Sequence, residues 1–195
     1  YHTYRIPALL VTQEGTLLAF CEGRKLRGSD TGDIDMLVKR SEDNGATWTG
    51  LSLAEMGFTL SQEDGRPEAY DIKEDSRGQL WVCTWFGVAY RDMDGTWHLI
   101  PELEDMYTDG MTIGPDDRVW VVEGEYVSGE PGAPMTLYEI LPDGTVNGHD
   151  GSEIALFNDF AITDREADCN GHLWCATDGA GILEIMPDMT YNQYT

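Results

Sequence analysis

Two arginines and a short acidic loop near the start of the chain are the residue types that could do chemistry. Arg5 stands in Tyr4-Arg5-Ile6-Pro7, and Arg24 follows Gly23. A planar guanidinium engages a carboxylate through two parallel charge-assisted hydrogen bonds, so either arginine can bind an acid. Either can also be a solvated or structural residue. The loop reads Ser29-Asp30-Thr31-Gly32-Asp33-Ile34-Asp35. A carboxyl group in such a loop can protonate a leaving oxygen and then activate water. The same residues also read as a solvent-facing turn or a weak calcium loop, although their spacing departs from an EF-hand. By residue type alone, Asp30, Asp33 and Asp35 are rivals for the acid.

Just downstream, Ser41-Glu42-Asp43-Asn44-Gly45-Ala46-Thr47-Trp48 fits the Asp-box pattern S-x-D-x-G-x-T-W at every defined position. Together with Tyr4-Arg5-Ile6-Pro7, it resembles the opening blade of a sialidase, over residues 1–50. The resemblance implies that Arg5 binds the substrate carboxylate within a cluster of arginines and that Arg24 is a second contact arginine. Alignment on Lys39-Arg40-Ser41 gives the acid/base place to Asp30, because Asp35 begins the third strand. The resemblance also implies that Asp43 and Gly45 shape a turn over Trp48, away from the sugar site. Sialidases use a tyrosine nucleophile polarised by a glutamate. Tyr191 and Tyr194 lie where that tyrosine is expected, and Glu68, Glu123 and Glu125 are its possible partners. Arg66, Arg91, Arg118 and Arg165 are the arginines left to complete the cluster, none with a sialidase-like context.

The elements that must position these residues repeat along the chain. Glu14-Gly15-Thr16-Leu17, Arg77-Gly78-Gln79-Leu80, Asp117-Arg118-Val119 and Asn170-Gly171-His172-Leu173 each lead a turn into an apolar strand. Trp81, Trp120 and Trp174 follow one step later, where the first copy has Leu18. Asp-Gly at Asp94-Gly95 and Asp143-Gly144 lies between β-rich runs, a strong hairpin signal. No stretch sustains the 3.6-residue apolar period of a helix. The expected fold class is all-β: a β-propeller of about four blades, each of four antiparallel strands. A single domain over residues 1–195 is expected, with later blades at 68–102, 108–148 and 158–195. Residues 50–67 read as a link and 124–134 as an insertion. The pattern Asp75-Ser76-Arg77-Gly78-Gln79-Leu80-Trp81, repeated at Asp168–Trp174, resembles two-component-regulator and streptogramin-lyase-like propellers. Those repeats specify a blade and carry no chemistry.

Composition bounds the partners. The chain has 195 residues, with 36 acidic against 12 basic and a net charge of −24. That field repels phosphate, which argues against nucleic acid or an anionic membrane as partner. No run of about 18 apolar residues is present, so no membrane span is expected. Acidity of this kind fits a salty or extracellular setting, and a secreted protein is the expectation. The chain starts without Met inside a strand pattern, which suggests a processed or trimmed piece. Cys21, Cys83 and Cys175 sit in apolar strand patterns as buried thiols, while Cys169 and Cys175 are near enough in sequence for a bridge to be considered. No C-x-x-C pair or His spacing asks for a metal, and no cofactor is implied. Two readings follow. One is a sialidase-like glycoside hydrolase or glycan-binding propeller for sialylated or other acidic glycans. The other is a non-catalytic propeller for binding, scaffolding or self-assembly as a homo-oligomer through exposed blade edges.

Overall fold

A computed structural model describes residues 1–26, 28, 34–51, 56–58, 69–123 and 135–195. Asp30 and Asp33, the 124–134 insertion and most of the 50–67 link lie outside the described residues. The chain divides into two compact units, Tyr1–Met106 and Tyr107–Thr195.

The first unit holds two four-stranded sheets. One is β1 (Thr3–Val11), β2 (Leu17–Arg24), β3 (Ile34–Ser41) and β4 (Thr49–Leu51). The next is β5 (Ala69–Glu74), β6 (Leu80–Thr84), β7 (Gly87–Arg91) and β8 (Trp97–Leu99). The second unit repeats the plan with β9 (Thr108–Ile113), β10 (Val119–Glu123), β11 (Thr136–Ile140) and β12 (Val146–His149). Its other sheet is β13 (Ile162–Ala167), β14 (Leu173–Thr177), β15 (Ile182–Ile185) and β16 (Tyr191–Tyr194). In every sheet the strands lie in chain order. Each is a four-stranded antiparallel meander, the form of a propeller blade. Among the described residues, regular helix is limited to 3-10 turns at Pro101–Leu103 and Ala155–Asn158 and to Met56. None is long and apolar enough to cross a membrane.

Period-two patterning sets the packing inside each unit. Leu18, Phe20 and Val38 of the first sheet meet Ile72, Leu80, Val82 and Ala89 of the second. In the other unit Trp120, Val122 and Leu137 meet Leu173, Cys175, Leu183 and Ile185. Each such side chain, fully buried, contributes about 1.5–3 kcal/mol.

One turn type recurs in all four sheets. At the β1–β2 turn, Thr12 N–H bonds the Thr16 carbonyl and Gly15 N–H bonds the Thr12 carbonyl. Asp75–Gln79, Gly114–Arg118 and Asp168–His172 repeat that geometry, as do Asp92–Thr96, Leu141–Thr145 and Met186–Thr190. The residue in the left-handed position is glycine in most copies, but it is Asp117 (φ 61) in one and Met189 (φ 65) in another.

Candidate functional site

Arg5 and Arg24 are brought together by the pairing of β1 with β2. Register runs Thr3 to Arg24, Tyr4 to Gly23 and Arg5 to Glu22, then shifts before Ala8 pairs with Phe20. The shift falls on Ile6-Pro7. Proline has no N–H to give the ladder, so a bulge there is expected, and a bulge re-aims the side chain beside it. Gly23 is needed between the arginines. A Cβ there would lie 2.6 Å from Leu37 Cδ1 and 2.8 Å from the Tyr1 ring.

Both guanidinium groups converge on one backbone oxygen. Arg24 Nη1 donates to the Gly28 carbonyl at 2.8 Å, and Arg5 Nη1 donates to the same oxygen at 3.3 Å. Arg24 is only 1% exposed, whereas Arg5 is open to solvent. Tyr1 and Tyr4 are exposed aromatics with ring centroids 5.9 Å apart at 55°, and because Tyr4 pairs with Gly23 they lie on the opposite face of the sheet from the two arginines. Asp30, the acid/base expected from the resemblance, lies outside the described residues.

The Asp43 turn is closed by its own side chains. Ser41 Oγ donates to Asp43 Oδ1 at 2.8 Å, Thr47 N–H donates to the same oxygen at 2.8 Å, and Thr47 Oγ1 donates to Oδ2 at 2.6 Å. The Thr47 hydroxyl and backbone N–H, with Ser41, lower the Asp43 pKa to about 2. Trp48 bonds back to the Gly45 carbonyl at 3.0 Å and remains 38% exposed, so it covers the turn as a lid open to solvent.

The other candidates of the first unit and those of the second have separate surroundings. Arg66, Glu68 and Glu125 lie outside the described residues. Arg118 is engaged by Asp116 at 2.8 Å and by Glu139 at 2.6 Å. Arg165 is buried and donates to the Gly110 carbonyl at 2.7 Å. Arg91, on the second sheet, lines a cavity that does not include Arg5. Tyr191 packs against the core of the second unit. Tyr194 donates to Glu184 Oε2 at 2.6 Å, and that bond raises the tyrosine pKa and lowers the glutamate's.

One tyrosine–glutamate pair was missed in the sequence. Tyr138 donates to Glu123 Oε2 at 3.1 Å. Val121 faces Tyr138 and Glu123 faces Thr136 across β10 and β11, so the pair is a diagonal contact on one face. Burial first, then the Glu123 charge, raises the Tyr138 pKa. Cys169 and Cys175 form no bridge: Cys169 is an exposed thiol and Cys175 a buried one, and burial pushes the Cys175 pKa up to about 12. Among the described residues, no cluster of three His, Cys, Asp or Glu side chains is placed to hold a metal ion.

No protein-family model matches the chain. Over 124 residues, 62% of the chain, it is 44% identical to an exo-alpha-sialidase of Aspergillus fumigatus, and the match covers 28% of that protein. A sialidase of Micromonospora viridifaciens is 38% identical over 81 residues, 42% of the chain and 12% of the relative. The chain thus spans well under a third of the curated relatives it matches. Among solved structures, Trypanosoma rangeli sialidase in complex with 2,3-difluorosialic acid superposes with a TM-score of 0.58 at 16% identity, over 98% of the chain and 37% of that protein. Streptogramin B lyase gives a TM-score of 0.55 at 16% identity, over 96% of the chain and 68% of the lyase. The chain has an all-β, propeller-type fold, is similar to sialidases in part of its sequence, and is similar in fold to both sialidase and streptogramin lyase.

Proposed function

We propose that the chain forms part of a sialidase-like glycoside hydrolase or glycan-binding propeller acting outside the cell on sialylated or other acidic glycans. The observation that carries this reading is the convergence of Arg5 and Arg24 on one oxygen. Two guanidinium groups aimed at a single neutral acceptor gather two positive charges at one place in a chain of net charge −24. A ligand carboxylate arriving at the exposed Arg5 gains a charge-assisted bond, with Arg24 behind it as a fixed charge. Asp30 takes the role of general acid/base, protonating the glycosidic oxygen and then activating water.

The test is hydrolysis of a fluorogenic α-sialoside by the chain beside Arg5→Ala and Asp30→Ala. Turnover that both variants lose supports the enzyme. No turnover from acidic to neutral pH, with α-sialoside binding that still depends on Arg5, leaves the glycan-binding form. Neither turnover nor binding sinks the reading.

A second reading, a non-catalytic scaffold or self-assembling module, is favoured by the commitment of Arg118 and Arg165 to structural partners. Concentration-dependent association in sedimentation, without sialoside binding, would select it.

A further inference from the structure

A cavity of about 500 Å³ opens in the first unit, between its two sheets, at the turn end of β1 and β2. It is separate from the arginine pair: Arg5 and Val11 are six strand positions apart, roughly 20 Å. Its floor is apolar. Leu18, Phe20, Val38 and Leu80 line it, and each is at most 7% exposed. Trp97 stands half-buried at its side. A concave apolar floor with a few convergent polar groups is the usual form of a small-molecule site.

The charges at the rim select the ligand. Arg40, Arg77 and Arg91 line the cavity, three of the chain's 12 basic residues, beside Glu14, Glu74 and Asp92. Glu74 already accepts the Gln13 N–H at 2.7 Å. Asp92 is held by His98 at 2.6 Å and by the Thr96 N–H at 2.8 Å. Arg40 is paired with Glu42, and Arg77 with Asp75. Arg91 differs. Its guanidinium lies over Gly95, where an added Cβ would come within 2.9 Å of Nη2. Among the described residues it has no carboxylate within ion-pair distance. A guanidinium at an apolar cavity, with no carboxylate of the described residues within ion-pair distance, can take an anion brought from outside even beside the rim carboxylates Glu14, Glu74 and Asp92.

We propose that this cavity is a binding site for a small monocarboxylate with an apolar body, its acid group on Arg91 and its hydrocarbon on the Leu18–Phe20–Leu80 floor. The site stands independently of the function proposed above. Calorimetric titration of the whole chain with 2-naphthoate, beside its uncharged amide, tests it. Saturable one-to-one binding of the acid is expected, with at least tenfold weaker binding of the amide. Arg91→Gln is expected to lose the same factor while keeping the near-UV circular dichroism of the parent, and Arg91→Lys to recover part of it. Arg5→Ala should bind naphthoate as the parent does. No saturable binding, equal affinity for acid and amide, unchanged binding in Arg91→Gln, or loss in Arg5→Ala would each overturn the assignment.

Discussion

Arg5 and Arg24 donate to the same Gly28 carbonyl oxygen, yet one is exposed and the other almost fully buried. A guanidinium withdrawn from water must be fully engaged to be tolerated, because desolvation costs several kcal/mol per ion. On the proposed reading, the two arginines therefore divide structure from recognition. Arg24→Ala is expected to destabilise the chain by about 3 kcal/mol, through the cavity it leaves and the loss of the shorter of the two bonds to the Gly28 carbonyl. Arg5→Ala should stay within about 0.5 kcal/mol of the parent, as surface changes do, while weakening acidic-glycan binding. Urea unfolding followed by circular dichroism measures both. An Arg24→Ala midpoint equal to the parent's would refute the division.

A second prediction concerns the carboxylates that open the repeats. Asp75 Oδ1 accepts the Arg77 and Gln79 N–H groups, and Oδ2 accepts the Trp81 indole N–H and the Arg77 side chain. Asp168 repeats the scheme with Asn170, His172 and the Trp174 indole. Asp75 is buried at 1% exposure, whereas Asp168 is partly open to water. Alanine strands the same donors in both, but water can satisfy them only at Asp168. Asp75→Ala should cost about 3 kcal/mol and Asp168→Ala about 1 kcal/mol. Equal costs by denaturant unfolding would show that burial does not govern the motif.

Much of this architecture is legible in the sequence, because turn chemistry and alternation are local. Leu17, Leu80, Val119 and Leu173, matched by pattern alone, each open the second strand of their sheet. The Asp-x-x-Gly spacing marks two of those turns, at Asp75 and Asp168, and there Trp81 and Trp174 explain themselves as partners for the aspartate. The Tyr138–Glu123 contact is not legible. It depends on the register between β10 and β11, and residues 124–134 separate the two strands. The burial of Arg24 is not legible either, because it depends on how the first sheet folds around it. The cavity at Arg91 needs two sheets face to face, which no local pattern encodes.

The third repeat departs from the others in a way that can be corrected. Asp117 takes the left-handed position that Gly15, Gly78 and Gly171 hold elsewhere. A side chain there strains the backbone, less for aspartate than for most residues. Asp117→Gly should therefore raise stability by about 0.5 kcal/mol, the strain relief partly offset by the greater freedom of an unfolded glycine. Met189 is the contrasting case. It has the same backbone but packs against the core of the second unit, so glycine there forfeits burial. Thermal unfolding of the two variants should move in opposite directions, and a fall in both would discount strain at Asp117.

Acid sensitivity follows from two opposed effects. At neutral pH the net charge of −24 makes the folded chain repel itself. Lowering pH from 7 toward 5 reduces that repulsion, and stability should rise. Below that range a different set of groups takes over. The Thr47 bonds lower the Asp43 pKa to about 2, and the His98 bond does the same for Asp92. Asp143, Asp150, Asp188 and Glu184 are lowered by their own hydrogen bonds, and Asp168 is lowered despite a burial effect in the other direction. A carboxyl depressed in the folded state contributes stability above its unfolded value near 4, and that contribution is lost as pH falls toward 2. The melting temperature should therefore pass through a maximum near pH 5 and drop between pH 4 and 2. Added salt should flatten the limb above pH 5, where separated charges are screened, and leave the acid limb, which rests on short hydrogen bonds. A melting temperature that climbs without a break down to pH 2 would mean that repulsion alone governs the chain and that the turn carboxylates contribute nothing to its stability.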